Sequence, residues 1–166
     1  EGSTSSGYSH VVNQITPTIN WANPAIITYG TALSTSELNA SVLIPGTLVY
    51  TPAIGTVLNA GNGQTLHVDF TPIDTVNYAS VSRDVTVTVR KAALTVTADN
   101  QTMVYGEAIP TFTVAYNGFV NGDNATNLDA PVSVSTSATA GSNAGSYPIE
   151  VSGAVDTNYD VSFVHS

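Results

Sequence analysis

Apolar and polar residues alternate along most of the chain with a period of two. In one run, the apolar residues Leu66, Val68 and Phe70 are separated by His67 and Asp69. Because successive side chains of a strand point to opposite faces, such a run predicts a β-strand with one buried and one solvated face. The same alternation occurs in further runs, at residues 85–89, 94–96, 112–116, 132–134, 149–151 and 159–163.

Turn-forming residues separate these runs. Clusters of Gly, Asn, Pro and Asp lie between them, and Thr and Val, which fit a pleated surface, are common within them. The pattern therefore predicts an all-β protein of the sandwich or small-barrel kind. One exception is expected between Leu33 and Val42, where Ser34, Ser36 and Glu37 form a weak capping signal for a helical turn or two.

Three sequence landmarks occur twice, in the same order and at offsets between 76 and 84 residues. Such self-similarity is typical of tandem structural units. We therefore expect two small β-sandwich domains at residues 17–91 and 92–166, with a short, rigid linker at the seam and an N-terminal extension at residues 1–16. The repeated landmarks are Tyr29-Gly30 and Tyr105-Gly106, Asn59-Ala60-Gly61 and Asn143-Ala144-Gly145, and the segments 74–78 and 156–159.

Composition excludes several classes of function. The formal charge is −9, and only Arg83, Arg90 and Lys91 are basic. A nucleic-acid partner is not expected, because binding to the phosphate backbone requires Lys and Arg. There is no cysteine, which excludes disulfides and Cys-ligated zinc. Membrane insertion is not expected either, because no apolar run approaches the roughly 18 residues of a spanning helix.

Several of these motifs resemble a known group of repeats. The motifs are the two Tyr-Gly pairs, the segment 118–123, the stretch 143–149 and the closing segment 156–159. Together they resemble the tandem Ig-like repeats of bacterial surface proteins. The second unit is similar to the mucin-binding-protein-associated (MBG) repeats of the Tyr-Gly-X type, and the first to a sister bacterial Ig-like repeat. The resemblance implies an Ig-like sandwich fold, an extracellular or cell-surface location and a spacer role in long adhesins.

Catalytic chemistry is not expected. The three histidines, His10, His67 and His165, stand in no Ser-His-carboxylate arrangement that the sequence reveals. The glutamates Glu37, Glu107 and Glu150 occur singly, without the paired carboxylate that a glycosidase needs. The chain is therefore predicted not to be an enzyme, and no catalytic residue is proposed.

Oxygen-rich loops raise the possibility of calcium. The candidate ligands are Asp99, Asp123, Asp156 and Asp160, each near Asn or further Asp residues. Calcium prefers such carboxylate and carbonyl oxygens, and at a domain junction it would stiffen a stalk. The alternative is that these residues form ordinary Asx turns, in which case no cofactor is needed.

The conspicuous aromatic residues offer a choice between a sugar-binding platform and structural positions. Most of them recur at equivalent places in the two units, which favours packing in the core or at a sheet corner. They are Trp21, Tyr29, Tyr78, Tyr105 and Tyr159.

The N-terminal segment occupies the place of a closing strand that belongs to no unit of this chain. Residues 8–16 precede the first unit as residues 85–92 precede the second, while the second unit is expected to lack its last strand after residues 159–164. We therefore expect residues 8–16 to leave their own first unit and to complete the second unit of a neighbour by strand addition. The alternative is a leftover strand from a longer array. The expected donor residues are Tyr8, Val11, Val12 and Ile15, and the expected acceptor edge is Tyr159, Val161 and Phe163.

Two functions follow as hypotheses. The first is a structural module of a surface stalk or fibre, whose partners are copies of itself or neighbouring Ig-like repeats and which assembles head-to-tail. The second is an adhesin module that binds glycan or mucin through its loops.

Overall fold

The computed structural model describes residues 10–166 and consists of β-strands and loops with one short helix. The all-β prediction is thereby confirmed. In this part of the chain no helix is long and apolar enough to cross a membrane. The strands are β1 (Ile27–Thr28), β2 (Gly46–Thr51), β3 (Gly61–Pro72), β4 (Val81–Arg90), β5 (Ala92–Ala98), β6 (Val114–Asn117), β7 (Ser133–Thr136), β8 (Ile149–Ser152) and β9 (Tyr159–Val164), and a 3-10 helix spans Ala125–Asn127.

The first half of the chain, residues 10–91, is built around a four-stranded sheet in the order β1-β4-β3-β2. β3 pairs antiparallel with both β2 and β4, and β1 adds to β4 in parallel. The alternation of the sequence places Leu66, Val68 and Phe70 of β3 on the buried face, together with Val85 and Val87 of β4. Loop residues cover this face with their own buried side chains, namely Ile19, Trp21, Leu33 and Leu38.

The expected helix after Leu33 forms only a single turn. The Leu38 N–H donates to the carbonyl of Ser34 at 3.0 Å, and the Glu37 carboxylate accepts from the backbone N–H and the hydroxyl of Ser34 at 2.9 and 2.7 Å. The capping residues thus act as predicted, but the chain does not continue helically. The carbonyl of Glu37 instead accepts a hydrogen bond from the indole of Trp21, and the Ser41 N–H donates to Asn20.

The second half, residues 92–166, contains two smaller sheets. β5 lies between β6, which is antiparallel to it, and β9, which is parallel; β7 and β8 form a separate antiparallel pair. Val96 and Ala98 of β5 meet Ile149 and Val151 of β8 in a small buried core. The two sheets therefore pack against each other, as in a β-sandwich.

The larger of the two cores continues across the seam between the halves. Ala92, Leu94 and Tyr159 of the second half belong to the same buried cluster as Tyr29 and Val89 of the first. This shared cluster runs against the expectation of two separately packed cores. The division into domains at residue 91 stays a prediction.

The N-terminal segment departs from the prediction at Ile15. We expected residues 8–16 to leave their own first unit, but the Ile15 N–H donates to the carbonyl of Asn77 at 2.8 Å and the Ala79 N–H donates to the carbonyl of Ile15 at 3.0 Å. These bonds satisfy backbone groups that a free strand would leave to water. Of the other expected donors, Val11 and Val12 are 70% and 83% exposed, and Tyr8 lies outside the described residues.

Candidate functional site: the joint between the halves

A single residue, Lys91, separates the last strand of the first half from the first strand of the second. The backbone on both sides of it is hydrogen-bonded: the carbonyl of Arg90 accepts from the Tyr29 N–H at 2.8 Å, and the Ala92 N–H donates to the carbonyl of Asn158 at 2.9 Å. The Lys91 ammonium donates to the carbonyl of Asp156 at 2.7 Å. The backbone is therefore held within its own half on each side of Lys91, and the Lys91 side chain is bonded to the second half.

Two tyrosines, one from each half, meet on one carboxylate. The hydroxyls of Tyr29 and Tyr159 each donate to Oδ2 of Asp123 at 2.8 Å. Their rings stack edge to face with centroids 5.4 Å apart, and Phe119 also stacks edge to face on Tyr159 at 5.4 Å. Edge-to-face aromatic pairs are favourable beyond the area that they bury. We use "the joint" for this group together with its neighbours Gly30 and Val120.

Local structure explains why Tyr29 lies at the seam. The Thr31 N–H donates to the carbonyl of Thr28 at 3.0 Å, which closes a turn whose third residue, Gly30, has a φ of +92°. Type II turns require a positive φ at that position, and glycine adopts it without steric cost. Since β1 ends at Thr28 beside the end of β4, the turn presents Tyr29 directly to the second half.

The loop that carries Asp123 is shaped by a close backbone approach. A Cβ at Gly118 would lie 2.2 Å from the carbonyl oxygen of Ala93, so only glycine fits there. Further along, Asn121 has a φ of +56°, and its side-chain amide is 3.5 Å from the hydroxyl of Tyr29. The backbone N–H of Val120 donates to the hydroxyl of Tyr159 at 3.0 Å, which fixes the loop to β9.

Burial and hydrogen bonding alter the acidity of both tyrosines. Burial, opposed by the hydrogen bond from Val120 and assisted by Asp123, raises the pKa of Tyr159 to about 12. For Tyr29 the hydrogen bond from Asn121 lowers the pKa, but burial and the hydrogen bond to Asp123 outweigh it, so the pKa is raised overall. Both phenols therefore stay protonated where an ordinary tyrosine ionises, and both can donate to Asp123.

This shift predicts an alkaline weakness. The folded state holds the Tyr159 proton up to a pKa of about 12, whereas the unfolded chain loses it near the ordinary tyrosine pKa of 10.0. The stabilisation is thus complete below pH 10 and is lost as the pH rises through 12. We expect the free energy of unfolding to fall over this range, and Tyr159→Phe to remove this part of the pH dependence. Denaturant unfolding at a series of pH values checks it, and an equally steep fall in the variant would contradict it.

Gly30 and its repeat counterpart Gly106 provide a matched pair of substitutions. Both have a positive φ, +92° and +89°, but a Cβ at Gly30 would lie 2.6 Å from Val120 of the second half, while nothing lies within 4 Å of one at Gly106. We expect both alanine variants to lose about 1–3 kcal/mol from backbone strain. Gly30→Ala should lose about 1–3 kcal/mol more from overpacking of the joint. Equal losses in denaturant unfolding would show that the contact with Val120 is unimportant.

Two Asx turns of the same kind, one in each half, provide backbone partners for the joint and for the N-terminal segment. Oδ1 of Asp156 accepts from the backbone N–H groups of Asn158 and Tyr159, and Oδ1 of Asp74 does so from those of Val76 and Asn77. In each case the carbonyl of the asparagine then accepts from an incoming strand: Asn158 from Ala92, and Asn77 from Ile15. Ile15 thus bonds to Asn77 in the first half in the same way as Ala92 bonds to Asn158 in the second.

The four aspartates proposed as calcium ligands are engaged separately. Asp123 accepts from the two tyrosines, Asp156 accepts from backbone N–H groups, and Asp99 accepts from the hydroxyl of Thr113 at 2.6 Å, while Asp160 is exposed. Within residues 10–166 no three His, Cys, Asp or Glu side chains form a group that could hold a metal ion. The structure thus places these carboxylates at separate positions, with Asp123 in the joint, Asp156 in an Asx turn and Asp160 on β9.

His67 has the contacts of a solvent-facing strand residue. Its Nδ1 contacts Asp84 and its Nε2 lies 3.2 Å from Asp69, and mainly the hydrogen bond with Asp84 raises its pKa above 6.5. In a hydrolytic triad one ring nitrogen binds the carboxylate and the other faces the nucleophile. Here both nitrogens face carboxylates, which leaves none for a serine.

The three residues of the predicted acceptor edge lie in two places: Tyr159 in the joint, and Val161 and Phe163 against the small core of the second half. Tyr159 is only 3% exposed and is already part of the joint, so it is not available to an incoming strand. Val161 and Phe163 are half-buried and pack against the core of the second half. β9 is nevertheless an edge strand of its sheet. Just after β9, Ser166 forms a pair of backbone hydrogen bonds with Ile149, the first residue of β8.

A groove of about 610 Å³ lies in the second half near Ile149. Apolar and aromatic side chains, among them Met103, Phe112 and Tyr147, line it together with polar ones such as Asn100 and Gln101. None of the lining residues is charged, although the chain as a whole carries a formal charge of −9. It is the larger of the two described cavities, and the sequence analysis did not predict it.

Comparison with known proteins bears on the second half of the chain. This half contains the Tyr105-Gly106 turn, the loop at Gly118 where only glycine fits, and the closing Asx turn at Asp156. Residues 94–166 match the family model of the MBG domain (YGX type). The MBG-type resemblance is thereby confirmed for this segment, and the MBG family is associated with bacterial surface proteins. The searches of curated proteins and of solved structures returned no match.

Sequence reasoning identified the members of the joint without bringing them together. Tyr29 and Asp123 are 94 residues apart, and nothing in their local sequence indicates a contact. The sequence offered one signal, the duplicated Tyr-Gly pair. The structure treats its two copies differently: Tyr29 is buried, and Tyr105 is 71% exposed. Of the aromatic residues predicted to be structural, Trp21, Tyr29 and Tyr159 are buried and Tyr78 is half-buried, while Tyr105 departs from the prediction.

Proposed function

We propose that the chain is a structural module of a bacterial surface stalk or fibre, in which the joint keeps two Ig-like halves in a fixed orientation. A single observation carries this proposal: the linker is one residue long, its two neighbours Arg90 and Ala92 are each hydrogen-bonded within their own half, and its side chain is bonded to the second half. A flexible connection would serve an enzyme lid or a tethered binding module, whereas a spacer benefits from a stiff one. The association of the MBG family with surface proteins supports an extracellular location.

The contacts of His67 and Glu37 fit a structural role better than a catalytic one. His67 has no free ring nitrogen for a nucleophile, and the buried carboxylate of Glu37 binds Ser34 in a turn. We therefore propose that the chain is not an enzyme, and that its partners are copies of itself or neighbouring Ig-like repeats. Head-to-tail contact between modules is the finer form of this proposal.

Trypsin provides a direct test, because the only basic residues are Arg83, Arg90 and Lys91 and two of them are at the linker. Both are exposed, so cleavage there depends on how often the backbone opens locally. We expect the native chain to resist trypsin, and Asp123→Ala to be cut at Arg90 or Lys91 into two halves. Tyr105→Ala, outside the joint, should stay as resistant as the parent. Rapid cleavage of the native chain at the linker would overturn the proposal.

The groove favours a second candidate function, the binding of glycan or mucin by an adhesin. Tyr147 and Phe112 offer aromatic surface, and Asn100 and Gln101 offer amides, which together suit a sugar. Binding to a glycan array tests this function. It requires saturable binding by the monomer that is lost when Gly145, in the groove wall, is replaced by Trp.

A further inference from the structure

A second cavity, of about 560 Å³, lies beside the linker and is formed by both halves. We use "the linker cleft" for it; it is lined by residues 60–62, 88–91, 129 and 155–157. Its volume is within the range of small-molecule sites, about 300–1,000 Å³. Hydrogen bonds connect its walls: the Ala60 N–H donates to Oδ1 of Asn158 at 2.8 Å, and the Lys91 ammonium donates to the carbonyl of Asp156 at 2.7 Å. The folded chain therefore holds the two walls together.

The linker cleft contains two of the three basic side chains of the chain. Arg90 and Lys91 both line it and both are exposed, whereas Arg83 lies near the other end of β4 and donates to the carbonyl of Ile19. Within residues 10–166 all ion pairs join His67 to aspartates, so none of the three basic side chains is paired with a carboxylate. The Arg90 guanidinium also donates no hydrogen bond to a described residue, unlike Arg83 and Lys91. Its N–H donors are therefore available to a ligand.

The two carboxylates of the linker cleft limit how much negative charge a ligand can carry. Asp156 is only 7% exposed, and its Oδ1 accepts from two backbone N–H groups of its own turn. Asp129 is exposed, and its Oδ2 accepts from the N–H and the hydroxyl of Thr157, both at 2.7 Å, while no described residue donates to its Oδ1. Asp129 thus offers one hydrogen-bond acceptor and would repel a second carboxylate on the ligand. A ligand with a single acidic group fits best.

The rest of the lining suits a ligand with hydroxyl groups. Asn62 offers a side-chain amide and Thr88 a hydroxyl, and each can both donate and accept. Val155 is 59% exposed and provides an apolar surface for C–H groups. A carboxylate on Arg90 can form two parallel hydrogen bonds with the guanidinium. A sugar with one carboxylate combines the acidic group, the hydroxyls and the apolar ring face that this lining matches.

We propose that the linker cleft binds a sugar that carries one carboxylate, as a uronic acid does. Arg90 and Lys91 bind the carboxylate. Asp129, Asn62 and Thr88 bind the ring hydroxyls. The formal charge of −9 does not prevent this binding, because at about 0.15 M salt the screening length is about 8 Å and distant carboxylates act weakly. This site is separate from the groove near Ile149, and it is independent of the proposed role as a spacer.

Titration of the full chain with glucuronate, followed by the backbone amide signals in nuclear magnetic resonance, tests the site. We expect saturable shifts centred on Asn62, Lys91 and Thr157. Glucose, which has the ring and the hydroxyls but no carboxylate, should cause no saturable shift over the same concentrations. Glutarate, which has two carboxylates and no hydroxyls, should bind at least about tenfold more weakly, because Asp129 repels its second charge. The proposal is overturned if glucuronate does not bind, or if glucose or glutarate binds as tightly.

The two arginines of β4 provide a matched pair of variants. Arg90→Gln keeps a polar side chain at an exposed position and removes the charge, so the fold should be retained. We expect it to bind glucuronate about 10- to 100-fold more weakly, the effect of losing a hydrogen bond to a charged group. Arg83→Gln, outside the linker cleft, should bind as the parent does. Equal affinities of the parent and of Arg90→Gln, with both amide spectra those of a folded chain, would contradict the assignment.

A variant in the groove separates this site from the adhesin function considered above. A Cβ at Gly145 has its nearest contact at 3.9 Å, so Gly145→Trp can fill the groove with little strain. We expect this variant to bind glucuronate as the parent does, because the linker cleft and the groove share no lining residue. If Gly145→Trp abolished the binding and Arg90→Gln preserved it, the sugar would lie in the groove and the assignment to the linker cleft would be wrong.

Discussion

Replacing Tyr159 by alanine is expected to lower the free energy of unfolding by about 3–5 kcal/mol, the range for removal of a large buried aromatic side chain. Tyr159 is 3% exposed, its ring packs on Tyr29 and Phe119, and its hydroxyl is bonded to Asp123 and Val120. The truncation empties the centre of the joint and leaves Asp123 with one tyrosine fewer. Equilibrium denaturation with urea measures the loss.

Tyr105→Ala is the matched control for this variant, since it removes the same side chain from an exposed position. We expect its effect to stay within about 0.5 kcal/mol. Tyr159→Phe, which keeps the ring and removes the hydroxyl, should lose an intermediate amount, about 1–3 kcal/mol. If the alanine variants at positions 159 and 105 were equally stable, the packing assigned to the joint would be wrong.

The second large effect is expected at Trp21, which is 2% exposed in the core of the first half. Its ring packs edge to face on Tyr50, and its indole N–H donates to the carbonyl of Glu37 at 3.0 Å. Trp21→Ala should cost about 3–5 kcal/mol in the free energy of unfolding. Because the core that contains Trp21 continues to Leu94 and Tyr159 of the second half, the loss should also lower the stability of the joint.

Two readouts of one thermal unfolding experiment test this coupling. Backbone circular dichroism reports both halves, and the appearance of the trypsin site at Lys91 reports the joint. We expect both midpoints to fall together in Trp21→Ala. Leu43→Asp, at a fully exposed apolar position of the same half, should leave both unchanged. A variant in which the first half unfolds early while the linker stays resistant would show that the shared core does not couple the halves.

Sequence periodicity predicts the strands well where one face is buried and the other is wet. Residues 66–70 and 85–89 alternate strictly, and the structure places their apolar members in one core. The turns are equally readable, because Tyr-Gly at 29–30 requires a positive φ that glycine supplies, and Asp74 caps its own loop. These features depend on neighbours within a few residues, which the sequence contains explicitly.

The joint and the path of the N-terminus depend on contacts between distant residues. Nothing local indicates that Asp123 meets Tyr29 and Tyr159, and the same aspartate could equally have been a metal ligand. Ile15 looked free because its sequence matches a closing strand, yet the carbonyl of Asn77 provides it with a backbone partner. Tyr105 looked equivalent to Tyr29, but it is exposed because burial of the turn requires a neighbouring half.

The central claim is that the joint fixes the orientation of the two halves, and a distance distribution across it is the most direct test. The chain has no cysteine, so spin labels can be placed by Val49→Cys on β2 and Ser135→Cys on β7, both exposed. Pulsed electron spin resonance on the doubly labelled chain, diluted with unlabelled protein, should give a single narrow distribution that broadens when Asp123→Ala is added. A broad distribution in the parent, unchanged by Asp123→Ala, would contradict the account.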